Sequence, residues 1–350
     1  MKFLRFYSLL GFMVLSGPLL SQTWFTTFLS GNCTHDDLRP MSVGVYDLYA
    51  NKTVLAYMGP NGDPYVSVCD HGNGNTWSDP IKIGDDPSED SHNYPQIVQT
   101  PNGTFHVFYG AHNENIRYAF TPNPHDPYHW KDSVLNITYV SYPMPLVDNE
   151  GEIYLFYRKQ LISCVDYPCN YEPYPFRPQY YARSRTNGKT WETPKVAVER
   201  WNLSDHMNEI YVGSFTNQPG SDNWHFGWTL AGGSHHDQYH KDIYHAVFNT
   251  VTDQFYDAGQ TDLGPSIDQA EMEDHCRILN TGVPYSQYDP GYINEAVATP
   301  SEDTLLFNNS YIWVNGNWRD LYPDKSIGLV DEWKDGYFYT YSGTLNVFRS

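Results

Sequence analysis

Asp70-His71-Gly72-Asn73-Gly74-Asn75-Thr76-Trp77-Ser78-Asp79-Pro80 and Ser184-Arg185-Thr186-Asn187-Gly188-Lys189-Thr190-Trp191-Glu192-Thr193-Pro194 are two copies of one pattern. Each carries a turn rich in Asn and Gly, then Thr-Trp, then a proline three residues later. Both copies follow strand-like runs, 65–68 and 179–184. Similar runs stand at 53–57, 105–109, 153–157, 224–229 and 242–248, separated by Gly, Asn, Asp and Pro. Such punctuation ends a strand because these residues supply tight turns and positive φ. Helical periodicity is nearly absent. Many short strands with regular turns predict an all-β sandwich, barrel or propeller.

The repeated turn selects among these. It resembles the Asp-box of sialidase-type propellers, S-x-D-x-G-x-T-W, with Thr186 in place of the Asp and extra residues in the first copy. In that motif the Trp packs between blades, so it marks fold rather than chemistry. A blade takes about 40–50 residues, which leaves room for about seven. The expectation is a seven-bladed β-propeller: residues 1–22 as a signal peptide and 23–350 as a single catalytic domain.

The first residues read as a secretory leader. Lys2 and Arg5 precede an apolar run from Phe6 to Leu15, and small residues follow up to Ser21. That run is short for a membrane span, so a secreted, extracellular protein is expected. Six N-glycosylation sequons agree with this: Asn32, Asn51, Asn102, Asn136, Asn202 and Asn308, which would carry N-glycans in a eukaryotic host. Five cysteines leave one unpaired. Cys164 and Cys169 lie close enough to staple a loop, and Cys33 with Cys69 would leave Cys276 free. The net charge of −20 excludes nucleic acid and anionic membranes as partners. It does not exclude an anionic ligand, because a local cationic cluster dominates within roughly 8–10 Å.

Such a cluster is visible. His92 lies in Ser91-His92-Asn93-Tyr94-Pro95, and His112 ends Phe105-His106-Val107-Phe108-Tyr109-Gly110-Ala111-His112. The turn Pro101-Asn102-Gly103 between them lets a hairpin return both rings to one end of a sheet. Tyr142 in Ser141-Tyr142-Pro143 and Arg158 at the end of Ile153-Tyr154-Leu155-Phe156-Tyr157-Arg158 repeat the same grammar around the turn 148–151. Two imidazoles, a phenol and a guanidinium make a proton-transfer set with an anion clamp. The plainer readings are a loop histidine, a blade-edge ion pair for Arg158 and a core ring for Tyr142.

Together these segments resemble the BNR-repeat polysaccharide lyases, a group with seven-bladed ulvan lyases and rhamnose–glucuronate lyases. The likeness covers roughly residues 45–270, with a weaker element at 240–248 leading into Asp262-Leu263-Gly264. It implies β-elimination at a uronate of an anionic polysaccharide, with no required cofactor. On that resemblance His92 is the base, Tyr142 the acid or combined acid and base, His112 a carboxylate or sugar contact, and Arg158 the neutraliser of the carboxylate. The division between the two histidines stays open. Asn93, Arg177, His235, His236 and His240 are expected substrate contacts.

The His-rich stretch and its neighbours also offer His245, His275 and Cys276 as structural zinc ligands, although no compact zinc spacing is present. Asp36, Asp37, Asp85, Asp86 and Asp90 are candidates for calcium, without an EF-hand loop. Two other functions compete. A sialidase-like hydrolase needs an arginine triad that the sequence does not show, although a carboxylate pair remains open. A lectin should repeat one pocket in most blades, whereas the His/His and Tyr/Arg pairs each occur once.

Overall fold

The computed structural model describes residues 43–86, 90–161, 176–217 and 220–281, and beyond these the segments 296–298, 304–307, 311–314, 316–320, 330–334, 337–341 and 345–349. The leader at 1–22, Asp36 and Asp37, Cys33, Cys164, Cys169, and the sequons at Asn32 and Asn308 lie outside the described residues.

The protein is all-β. Every strand-like run of the sequence forms a strand: Lys52–Met58, Pro64–Asp70, Phe105–Tyr109, Ile153–Lys159, Gln179–Ser184, Asn223–Gly232 and Tyr239–Asn249. Among the described residues, helix beyond single 3-10 turns is confined to Gln269–Glu271, which a capping box at Asp268 starts, and the turn Met272–Cys276 that follows it. No described helix is long and apolar enough to cross a membrane.

The strands form six antiparallel sheets among the described residues, in a propeller-like succession along the chain. Short hairpin connections make consecutive strands neighbours, which the turn residues dictate. The first sheet spans 44–82, the second 96–134, the third 112–198 and the fourth 209–279. The second and third interleave. After Phe105–Tyr109 the chain lays His112–Glu114 against Val140–Val147 of the third sheet, then returns to the second as Arg117–Phe120. That excursion carries His112 to the boundary between two sheets.

Apolar clusters fill the gaps between successive sheets. Val54, Val66, Ile97 and Val107 join the first to the second. Phe108, Tyr118, Leu155 and Tyr157 join the second to the third. Phe156, Phe215, Trp228 and Phe248 join the third to the fourth. Each such side chain contributes about 1.5–3 kcal/mol by leaving water.

The second copy of the repeated turn also crosses a boundary. The Trp191 ring meets Phe108 edge-on at 5.8 Å. Asn187 accepts from Thr100 Oγ1 at 2.8 Å and donates to Thr104 Oγ1 at 3.1 Å, both on the second sheet's hairpin. Gly188, at φ +76°, passes so near Tyr118 that a Cβ would lie 2.1 Å from the phenol oxygen. Only glycine fits there.

Cys69 and Cys276 are buried free thiols. For Cys69 this departs from the expected bridge to Cys33. It is buried near the end of its strand, with Sγ 3.9 Å from His71 Nδ1.

Candidate active site

His92 sits in the 3-10 turn Ser91–Asn93. Asp90 caps that turn, its Oδ1 accepting from the His92 backbone N–H at 2.9 Å. The turn is tied to the second sheet by the Gly110 N–H, which donates to the Asn93 carbonyl at 3.1 Å. His112 opens the short strand His112–Glu114. His92 Nδ1 donates to Asp90 Oδ1 at 2.6 Å, and His112 Nδ1 to Asp90 Oδ2 at 2.5 Å. One carboxylate therefore holds both imidazoles. The rings stack with centroids 4.2 Å apart and planes inclined by 25°.

The third sheet supplies the rest. Ser141 pairs with His112 on one side and Arg158 on the other, so one cross-strand row carries both site residues. Between Ser141 and Met144 the register slips, and Tyr142 takes φ +60°. A bulky residue in the left-handed region is strained, and a bulge re-aims its side chain. Here the Tyr142 ring lies 6.1 Å from His92 and 6.2 Å from His112. The Arg158 guanidinium lies over two phenol rings, 4.7 Å from the centroid of Tyr142 and 4.3 Å from that of Tyr211. The two histidines, Tyr142 and Arg158 thus come together as expected.

Arg158 is 2% exposed, and among the described residues no carboxylate lies within ion-pair reach of it. Its Nη1 and Nη2 atoms have no hydrogen-bond partner. Among the described residues Arg158 makes no blade-edge ion pair. Burial works against its charge, but the phenols of Tyr211 and Tyr142 and the carboxylate of Glu209 outweigh it and raise its pKa. A buried guanidinium that faces phenols rather than a carboxylate keeps its charge available to an anion. Burial lowers the pKa of His112, partly offset by its bond to Asp90, with His92 and Arg158 adding to the fall. Burial would raise Asp90, but the His92 backbone N–H and the two imidazoles bring it to about 2.

The other expected contacts are placed differently. Asn93 is buried and donates to Asp86 Oδ1 at 3.2 Å, so it supports the turn rather than facing a ligand. Arg177 is buried in an ion pair with Glu209. Glu209 also accepts from His236 Nδ1 at 2.5 Å and from the Asp237 backbone N–H at 2.9 Å. Burial would raise Glu209, but His236, Arg177 and Arg158 hold it near 2. His240 donates to Asp237 Oδ1 at 2.8 Å, and its ring lies 5.5 Å from Tyr211. His236 and His240 therefore extend the wall that begins at Arg158, while His235 stands exposed beside them.

The zinc candidates do not converge. His245 is buried against His225, with rings 5.5 Å apart, His275 reaches Asp257 at 3.4 Å, and Cys276 is buried in the core. The calcium candidates are already engaged: Asp85 with Lys82 at 2.5 Å, Asp86 with Asn93, and Asp90 with the imidazoles. Among the described residues, only Asp90, His92 and His112 bring three candidate donor atoms within 4.8 Å. Their N···O separations of 2.5–2.6 Å are hydrogen-bond lengths. An ion bonded to both atoms at about 2.0–2.2 Å would hold them about 3 Å apart or more.

Three functional residues escaped the sequence reading. Asp90 stood there only as a calcium candidate, although Asp two residues before His in a turn signals a side-chain cap. Tyr211 and Glu209 had no signal, because only the packing of the fourth sheet on the third brings them to Arg158.

Residues 52–299 match the model of a BNR repeat-containing family. An ulvan lyase from Alteromonas sp. (strain LOR) is 24% identical over 307 residues, which cover 76% of this chain and 59% of that protein. An ulvan lyase of Pseudoalteromonas sp. (strain PLSV) is 23% identical over 264 residues, 66% of this chain and 51% of that one. The chain thus spans little more than half the length of these relatives. A solved polysaccharide-lyase ulvan lyase, bound to a GlcA(1-4)Rha3S repeat, superposes with a TM-score of 0.66 at 17% identity, covering 89% of this chain and 82% of that one.

Proposed function

The chain belongs to the BNR repeat-containing family, and from its site we propose that it is a secreted polysaccharide lyase, a seven-bladed propeller that cleaves a rhamnose–glucuronate linkage by β-elimination. The observation that carries this reading is the guanidinium of Arg158, paired with no carboxylate among the described residues and lying over Tyr142 beside two imidazoles. The ulvan lyases among its relatives support an anionic, uronate-containing substrate.

Arg158 binds the uronate carboxylate through two parallel charge-assisted bonds, which acidifies the proton on C5. His92, the more exposed imidazole, takes that proton. The electron pair of the broken C5–H bond becomes the C4–C5 double bond. The C4–O bond breaks, and its electrons leave with the oxygen, which Tyr142 protonates. Exchange with water returns the proton from imidazolium to phenolate. His112, whose pKa burial lowers, contacts sugar hydroxyls. No cofactor takes part. The wall from Tyr211 to His240 flanks the bound chain.

Ultraviolet absorbance during incubation with ulvan and with gum arabic tests the class. A rise reports the conjugated double bond that elimination creates and hydrolysis does not. New reducing ends without absorbance would replace this reading with a hydrolase.

A further inference from the structure

We propose that Asp90 is the positioning residue of this site, fixing the same tautomer on both His92 and His112 so that the stacked imidazoles act as one proton-accepting unit. The proposal rests on the lyase reading for its consequence, but not for its geometry.

An ionised carboxylate only accepts hydrogen bonds. Each of its oxygens receives one Nδ1, at 2.6 Å from His92 and 2.5 Å from His112. Each Nδ1 therefore carries a hydrogen. In a neutral imidazole the lone pair then lies on Nε2, and a second-shell hydrogen bond of this kind sets which nitrogen reacts. Asp90 is itself fixed, because its Oδ1 also accepts the His92 backbone N–H at 2.9 Å and its carbonyl accepts the Asn93 N–H at 3.0 Å. Turn, carboxylate and both rings form one rigid assembly.

The stacking gives this arrangement a further property. With centroids 4.2 Å apart, a proton on one Nε2 opposes a second on its neighbour. For His112, burial lowers the pKa, its bond to Asp90 raises it, and the neighbouring His92 and Arg158 lower it. Tyr142 is the remaining titratable group against the rings. The pair thus takes up one proton per turnover and holds it next to a fixed negative charge. His112 serves as the stacked partner of His92 rather than as a second base.

The test is Asp90→Asn. The amide is neutral and offers an N–H, so it no longer imposes the tautomer. The expected result is a fall in kcat of about 100-fold or more, with KM changed less than about threefold, since Asp90 acts only through the rings. The acid limb of the pH profile moves to lower pH, because the lost carboxylate no longer favours the imidazolium. Wild-type kcat and an unmoved acid limb in a folded variant would overturn the proposal. Nitrogen NMR of the wild-type protein with labelled histidine, assigned with His92→Gln and His112→Gln, is independent of turnover. Nδ1-protonated rings at both positions support the proposal even if no uronan is cleaved, in which case only the lyase reading falls. Nε2-protonated rings overturn it whatever the assay shows.

Discussion

The guanidinium carbon of Arg158 lies 4.3 Å from the centroid of the Tyr211 ring, across the boundary between the third and fourth sheets. Together with Tyr142 at 4.7 Å on the third sheet, this leaves the cation held by aromatic faces rather than by a carboxylate. A desolvated cation–π contact contributes about 2 kcal/mol. Tyr211→Leu should therefore lower kcat/KM about 30-fold, while Tyr211→Phe, which keeps the ring, should stay within a few fold. Steady-state absorbance assays on both variants decide this. Equal losses would show that the hydroxyl, not the ring, holds Arg158.

Arg158→Lys keeps the charge and loses the fork. A lysine presents one ammonium where the uronate carboxylate needs two parallel donors. We expect kcat/KM to fall about 100-fold, equivalent to roughly 2.7 kcal/mol of transition-state binding, with the thermal midpoint little changed. Kinetics within tenfold of wild type would remove the bidentate clamp from the mechanism.

His106 makes stability depend on pH. It is fully buried, bonded to Tyr118 at 2.6 Å and to Asn187 at 3.1 Å. Burial lowers its pKa to about 4, against the weaker raising effect of Asn187. The unfolded value is about 6.5, so the fold favours the neutral ring. That stability is fully present above about pH 6.5 and is lost as the pH falls towards 4. Between pH 7 and pH 5 the loss is about 2 kcal/mol. Urea unfolding at the two pH values should show it, and His106→Gln should flatten the difference.

Asn187 ties the third sheet to the second through Thr100, Thr104 and His106. Asn187→Ala removes one hydrogen bond from each of these groups, at a cost of about 1–3 kcal/mol. The urea midpoint should fall with an unchanged slope. A midpoint equal to that of wild type would mean that water replaces the amide.

The alternation of apolar residues and the Asn-Gly turns were enough to read every one of the seven named strands, because both are local properties of the chain. His92, His112, Tyr142 and Arg158 were also legible, since the two pairs flank turn-linked strand runs in the sequence in the same way. Contacts across sheets were not legible. Tyr211 lies 53 positions after Arg158 and meets it only when two sheets stack. The left-handed backbone of Tyr142 has no sequence mark, since Tyr is a poor residue for positive φ. Arg177 and Asn93 were expected as substrate contacts, yet each is bonded to a buried partner. His245, His275 and Cys276 are close in sequence or chemistry and diverge in space.

The site is built from one uninterrupted stretch, Asp90 to His240, that crosses the second, third and fourth sheets. Its reacting groups are therefore inherited as a linear cassette. Recombination with breakpoints before Asp90 and after His240 would move the whole assembly to another scaffold. A single breakpoint between Val134 and Val140 would instead part the imidazoles from the phenol and the guanidinium, and with them the strand His112–Glu114 from its partner Val140–Val147.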